Sequence, residues 1–330
     1  IRLFGYDNVP SKFHYEGIMS GDQPDPHKGL SKIISILSGF GFTQVFNNSL
    51  QSNEKVSILN YKSVKIMNPL SDTMNQLRTS LFPGLVQTVD FNLKNGHPDL
   101  MLFEWGNVFE QEKSGFKGIR EKFQLAGIVH GRLSKVSVHR EKERPADYHV
   151  VKGSIDGLLT RLNAKNVSFN SMDKNPYGFD RPFEIIIGKN VIGHLGIISP
   201  QFAKIMQFDV GPCYAFQFDL NALVLLANYR PKYQGIVNYP VVERDLNFIL
   251  DESVRVGDVN KIIRNNGRNI LISSDPINIF RHESIGESKK AIAINLVFQS
   301  TSKTLEDKDV NSVINGIIRE VSNKFGAKLR

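Results

Sequence analysis

Apolar positions recur at two periods along this chain, and the two periods alternate in blocks. Leu30, Ile33, Ile34 and Leu37 fall at i, i+3, i+4 and i+7, which predicts an amphipathic helix ended by Gly39 and Gly41. Residues 1–27 before it are polar and punctuated by Pro10, Gly17, Gly21, Pro24 and Pro26, the pattern of a connector. Thr43–Phe46 is expected as a short strand. A second helix is expected over 83–94, with Pro83 in its first turn and Gly96 past its end. Leu100–Phe109 then alternates, putting Met101, Phe103 and Trp105 on one face of a strand, and Phe123–Val129 is its expected neighbour. Val151, Ile155, Leu158, Leu159 and Leu162 return to helical spacing. Phe183–Ile187 and Val191–Ile198 flank Gly188-Lys189-Asn190, a hairpin signal. Ser199-Pro200 opens a short helix, and Tyr214–Leu220 is a further strand. Hairpin-linked strands with helices interspersed predict an antiparallel α+β sheet rather than a doubly wound one.

A second unit is expected after Asn228-Tyr229-Arg230-Pro231-Lys232-Tyr233. Asp245–Leu250 is a strand, and Val259, Ile262 and Ile263 mark a short helix. Asn269–Ser273 and Ile277–Arg281 make a strand broken near Pro276, and Ala291–Phe298 alternates strictly. Thr304 is the expected cap of a long helix, with Asp307 completing a capping box. Its apolar stripe runs through Val310, Val313, Ile314, Ile317, Ile318, Val321 and Phe325. With a closing Ala327–Leu329 strand, the order is βαββαβ, the ferredoxin-like split βαβ pattern. In the β-strand reading Ile277 and Ile279 face the helices, which leaves Asn278 and Phe280 on the other side.

The chain has 330 residues, 41% of them hydrophobic and 22% charged. That length allows two or three domains with ordinary cores and excludes low-complexity classes. A single cysteine, Cys213, rules out a disulfide framework and a Cys-rich zinc site, and points to a reducing, cytosolic compartment. No apolar run reaches the ~18–20 residues of a membrane span, so no membrane partner is expected. The first residue is not Met, so a cut from a longer chain is expected. Net charge is +8, and residues 229–330 hold 16 basic against 12 acidic side chains. Half the excess therefore sits in under a third of the chain, a balance compatible with a polyanionic partner.

The sequence offers little catalytic chemistry. No G-x-S-x-G, Walker A or Rossmann glycine pattern occurs. His139, His149 and His194 lack ligand-spaced partners and are read as surface or core histidines, so no metal site is expected. Cys213 has no basic neighbour in sequence and is read as an inert buried thiol. Gly193-His194-Leu195-Gly196 lies inside a strand pattern, where glycine signals close approach of another chain segment.

Three segments carry more information: Asn68-Pro69-Leu70-Ser71-Asp72 leading to Leu77-Arg78-Thr79-Ser80-Leu81-Phe82-Pro83-Gly84-Leu85; Leu102-Phe103-Glu104-Trp105-Gly106-Asn107-Val108-Phe109; and Tyr239-Pro240-Val241-Val242-Glu243-Arg244-Asp245-Leu246 with the tail Phe325-Gly326-Ala327-Lys328-Leu329-Arg330. Together they resemble the C-terminal half of the β subunit of bacterial phenylalanine–tRNA ligases. Phe4-Gly5-Tyr6-Asp7-Asn8-Val9-Pro10 is similar to that family's sequence at the exit of a small preceding domain. The resemblance runs over essentially the whole chain, in order.

It implies a class II synthetase-like antiparallel core over 11–228, a linker at 229–236 and a ferredoxin-fold anticodon-binding domain over 237–330, with 1–10 the end of a preceding domain. Class II catalysis needs a motif 3 arginine to clamp the ATP γ-phosphate, and Gly193–Pro200 carries none. Without it adenylate formation loses its main charge stabilisation, so the core is expected to be a non-catalytic copy, with Arg78 and Glu104 structural. The family's magnesium-binding acids and its editing domain fall upstream of residue 1. The implied partners are a catalytic α subunit, in an (αβ)₂ heterotetramer, and tRNA(Phe). ATP and Mg²⁺ are used by the full complex, none is expected bound here, and the location is cytoplasmic.

For the anticodon, the family's positions fall on Asn278, Phe280, Lys289, Lys290 and Ala291. Asn278 stands where the family has Asp, and Ala291 where it has Ser. Phe280 keeps a stacking surface without the phenolic hydroxyl. Taken alone, Phe280 fits a core residue as well as a base platform, and Lys289-Lys290 fits a solvated edge. Two rival functions stay open: an RNA-independent protein-interaction scaffold, and a stand-alone ATP-dependent ligase.

Overall fold

The computed structural model describes residues 2–8, 26–57, 59, 61–134, 136–139, 142–172, 178–208, 211–227, 235–267 and 269–330. Most of the expected 1–27 connector and the segment 228–234 lie outside the described residues. The chain divides into two compact units, Ile1–Pro231 and Lys232–Arg330.

The first unit is an α+β layer structure around one seven-stranded sheet. Its strands are β1 (Thr43–Gln44), β2 (Leu100–Gln111), β3 (Ile119–His130), β4 (Val167–Ser171), β5 (Phe179–Ile187), β6 (Asn190–Ile198) and β7 (Tyr214–Asp219), in the order β1-β2-β3-β7-β6-β5-β4. The β2–β3 pair runs in continuous register from Leu100↔His130 to Gln111↔Ile119. The sheet is antiparallel but for its edge, where β1 pairs with β2 in parallel. No hairpin fixes the direction of β1, because a long crossover containing a helix separates it from β2.

Period-two alternation divides the sheet side chains between two cores. Phe103, Leu125, Val129, Leu195, Phe216 and Phe218 pack against α1 (Pro26–Gly39) and a helix of Tyr148–Arg161. Leu102, Ala126, Ile128 and Ala215 face the opposite way, against α2 (Phe82–Lys94). Asp147 caps the Tyr148–Arg161 helix, α3, by accepting from the Val150 N–H, and Ser199 does the same for α4 (Pro200–Ile205). Leu220 does not extend β7. It opens α5 (Leu220–Ala227), started by Asp219, whose carboxylate accepts from the N–H groups of Asn221 and Ala222. Gly193 fits the close-approach reading, since a Cβ there would lie 2.4 Å from the Gln217 carbonyl oxygen.

In the second unit β8 (Val242–Asp251), α6 (Val256–Asn266), β9 (Leu271–Phe280), β10 (Lys289–Phe298), α7 (Asp307–Phe325) and β11 (Lys328–Leu329) follow in the expected order. The sheet is β9-β10-β8-β11, antiparallel throughout. Leu246, Phe248, Ile292, Ile294, Leu296 and Phe298 meet Val259, Ile263, Val310, Ile317 and Val321 from the two helices. Three expectations need correction. The capping box is Glu306 with Asp309, two residues later than Thr304 with Asp307. The strand is continuous through Pro276, which an edge strand tolerates, and absorbs it with register shifts at Leu271/Ser273 and Pro276/Asn278. Ile277 and Ile279, expected under the helices, are 62% and 40% exposed. The second shift lies beside Ile277, and this end of β9 is exposed on both faces.

Arg78 and Glu104 form a buried ion pair of 2.6 Å in the first unit. Glu104 also accepts from the backbone N–H and the Nδ2 of Asn47, at 3.1 and 2.7 Å. The Arg78 Nε donates to the Asn107 carbonyl at 2.9 Å. Gly106 is glycine because an added Cβ would sit 2.3 Å from the guanidinium. Removing one partner of such a pair strands a buried charge. Arg78→Ala is therefore expected to cost about 3–5 kcal/mol in urea unfolding, and Arg78→Met with Glu104→Leu distinctly less.

Candidate nucleic-acid interface

The helices of the second unit cover one face of its sheet, and the other face carries the residues singled out from sequence. Phe280 ends β9 and is 45% exposed. Its register partner is Ala291 on β10, and Asn278 pairs with Ala293. Ala291 in turn pairs with Ile249 on β8. The result is a shallow floor of two alanines with Phe280 and Asn278 along one side. Lys289, exposed, lies at the entrance to β10 opposite Asp251.

Lys290 departs from the expectation of an exposed lysine pair. Adjacent strand residues point to opposite faces, so only Lys289 shares the face of Phe280. Lys290 pairs with the core residue Leu250 and is 6% exposed. Its ammonium donates to the Glu252 carbonyl at 2.7 Å, which ties the start of β10 to the turn after β8. Ala291 is also buried, under its cross-strand neighbours.

Sequence reasoning missed His282. Its ring stacks on Phe280 with centroids 5.8 Å apart and planes 11° apart. The His282 Nδ1 accepts from the Ser284 N–H at 3.2 Å, which fixes the ring. The signal was the Phe-x-His spacing, two residues apart as on one strand face. Charge nearby is largely matched. Arg281 grips Glu252, with its Nη2 donating at 2.8 Å, and that contact holds the Glu252 carboxyl below the usual range. Hydrogen bonds from Ser253 hold the Asp251 carboxyl down as well. Lys289 is left with no ion pair among the described residues, available to a phosphate.

The remaining chemical candidates lie in the first unit. Cys213 is buried and its thiol is pushed up to about 12 by burial. His139 and His149 are exposed. His194 is buried, and burial holds its imidazole down at about 4. Among the described residues no three His, Cys, Asp or Glu side chains come together as a metal site. None of the described helices is long and apolar enough to cross a membrane.

Residues 10–220 match the family description "Phenylalanyl tRNA synthetase beta chain CLM domain", and 237–330 match "Ferredoxin-fold anticodon binding domain". The chain belongs to the phenylalanyl-tRNA synthetase β-chain family. Curated proteins named phenylalanine–tRNA ligase β subunit align with all of it. Those of Listeria monocytogenes serotype 4b and Bacillus subtilis are each 28% identical, and that of Oceanobacillus iheyensis 30%. In each the chain spans 41% of the relative's length. Among solved structures, the pyrrolysyl-tRNA synthetase of Desulfitobacterium hafniense aligns over 62% of this chain and 70% of its own, at 13% identity and a TM-score of 0.48.

His194 gives the first unit a pH signature. Its folded pKa lies below the unfolded value of ~6.5, so the unfolded chain takes up a proton that the folded chain refuses. Stability is therefore expected to fall as pH drops from about 6.5 to about 4, by on the order of 2–3 kcal/mol from this group. Urea midpoints measured across that window should flatten in His194→Gln.

Proposed function

We propose that this chain is the tRNA-holding and partner-holding portion of a phenylalanine–tRNA ligase β subunit, and that the observation carrying this reading is the exposed Phe280–His282 stack beside Lys289. In that reading a splayed anticodon base of tRNA(Phe) stacks on Phe280, above the floor made by Ala291. Asn278 meets a base edge and Lys289 a phosphate. Lys290 acts as a positioning residue, holding the end of β10 through the Glu252 carbonyl. An exposed aromatic beside a floor of small side chains is an economical base platform, because stacking tolerates any base and needs no fixed hydrogen bond.

The core over 11–228 serves as scaffold in this reading, joined by 229–236 to the domain over 237–330. Its Arg78 guanidinium is committed to Glu104, and ATP and Mg²⁺ are used by the full complex. Exposed apolar side chains such as Phe46, Phe91 and Leu225 give that core surface to bury against α. The assembly is an (αβ)₂ heterotetramer in the cytoplasm.

Phe280→Ala is expected to weaken tRNA(Phe) binding by about 1–3 kcal/mol with an unchanged melting temperature. Lys289→Ala should lower the salt slope of binding by about one unit, whereas Lys290→Ala should reduce the melting temperature. Loss of fold in Phe280→Ala with constant affinity per folded molecule would return that residue to the core. Absence of salt-dependent tRNA binding would favour the RNA-independent scaffold instead.

The purified chain, free of α subunit, is expected to show no phenylalanine-dependent ATP–pyrophosphate exchange above background. Clear exchange would establish the stand-alone ligase.

A further inference from the structure

The first unit holds a cavity of about 220 Å³ on the uncovered end of its sheet, beside Tyr61. Its floor is polar in a region where the strands are otherwise packed. Alternation along β7 sends Phe216 and Phe218 into the helix-covered core and Gln217 into the cavity. Gln217 is only 7% exposed and lines the cavity with its side chain. Gln124, on the neighbouring β3, also lines the cavity, and its Oε1 is buried without a partner. The register places Gln124 opposite Asp219, two residues along β7 from Gln217, so both amides stand on one face of adjacent strands. His194 lies opposite Gln217 on the other side. Burial keeps its imidazole neutral near pH 7.

The charged groups around this floor are already engaged. Lys122 pairs with Glu110 at 2.9 Å, and Arg120 with Glu112 at the same distance. The Asp219 carboxylate is taken by the first turn of α5. A phosphate or carboxylate would find no uncommitted cation there. What the floor does offer is two carboxamides on one face, one of them with a buried acceptor that has no partner among the described residues, in a space for roughly seven waters at ~30 Å³ each. An amide meets a planar heterocycle whose ring nitrogen and exocyclic amine lie side by side, as glutamine meets adenine.

We propose that this cavity binds a neutral nucleobase, held at its edge by Gln217 and Gln124 and flanked by Tyr61. The base can come from a free nucleoside or from an RNA chain, and the site's chemistry is the same for both. This inference is independent of the anticodon reading and uses none of its residues.

The test is calorimetric titration of the full chain with adenosine, AMP and a short oligoadenylate. Saturable adenosine binding is expected, with the dissociation constant raised about tenfold or more in Gln217→Leu. Circular dichroism and a thermal melt check that the variant is folded, and if it is not, Gln124→Leu carries the same comparison. AMP should bind no tighter than adenosine. Oligoadenylate binding tighter than adenosine assigns the base to RNA, and equal or weaker binding assigns it to a free nucleoside. Absence of adenosine binding up to its solubility, unchanged affinity in a folded Gln217→Leu, or AMP binding more than about tenfold tighter would each overturn the proposal.

Discussion

The first unit is organised around a requirement of electrostatics: a guanidinium and a carboxylate buried together must have their other donors and acceptors met. A stranded charge there would cost several kcal/mol, comparable with the net stability of many domains. Glu104 sits in the middle of β2, where a carboxylate is otherwise out of place. Meeting its needs brings in Asn47 from the chain after β1 and Arg78 from the segment before α2. Arg78 in turn reaches back to the Asn107 carbonyl and lies over Gly106. One ion pair thus ties together three stretches far apart in sequence. It also explains two residues of the Leu-Phe-Glu-Trp-Gly-Asn segment that no periodicity argument reaches.

Much of this architecture was legible because alternation and helical spacing survive where one face of an element is buried. Met101, Phe103 and Trp105 do share a face, and the stripe of α7 from Val310 to Val321 does enter the core. Legibility failed where the burial rule was absent. Leu220–Ala227 is apolar at every position but Asn221, so it has no clear period to distinguish helix from strand, and its start depends on the Asp219 cap. Val167–Ser171 is a five-residue edge strand whose period-two signal is only Val167 and Phe169, too short to stand out. The cap of α7 was misplaced by two residues because Thr304 and Glu306 head overlapping capping-box patterns, and backbone geometry decides between them.

The anticodon-side residues show the same division. Alternation correctly separates Phe280 from Ile279, yet it could not say that this end of β9 is left uncovered by the helices, which is why both isoleucines are exposed. Lys289 and Lys290 look like one basic patch in sequence and are two different devices in the fold. One keeps its charge in solvent, and the other spends it on a backbone carbonyl. His282 was overlooked because a lone histidine carries no period. Its role depends on a ring–ring contact that only a turn after β9 creates.

Both units leave part of a sheet without a helical cover, and what occupies the bare part differs in kind. In the second unit it is alanines, an aromatic and a lysine with no ion pair among the described residues, on a surface open to solvent. In the first it is a recess lined by two amides, with the Gln124 Oε1 buried and without a partner among the described residues. Burying an unmet carbonyl costs about 1–3 kcal/mol, so a recess holding the Gln124 Oε1 is a less stable solution than a leucine at that position would give. A sheet that served only to hold its helices in place would have no use for that cost. The open face of the second unit needs no such argument, because its exposed groups lose little by waiting for a ligand. The two bare surfaces are therefore separate problems in energetics, one of exposed apolar area and one of unmet hydrogen bonds.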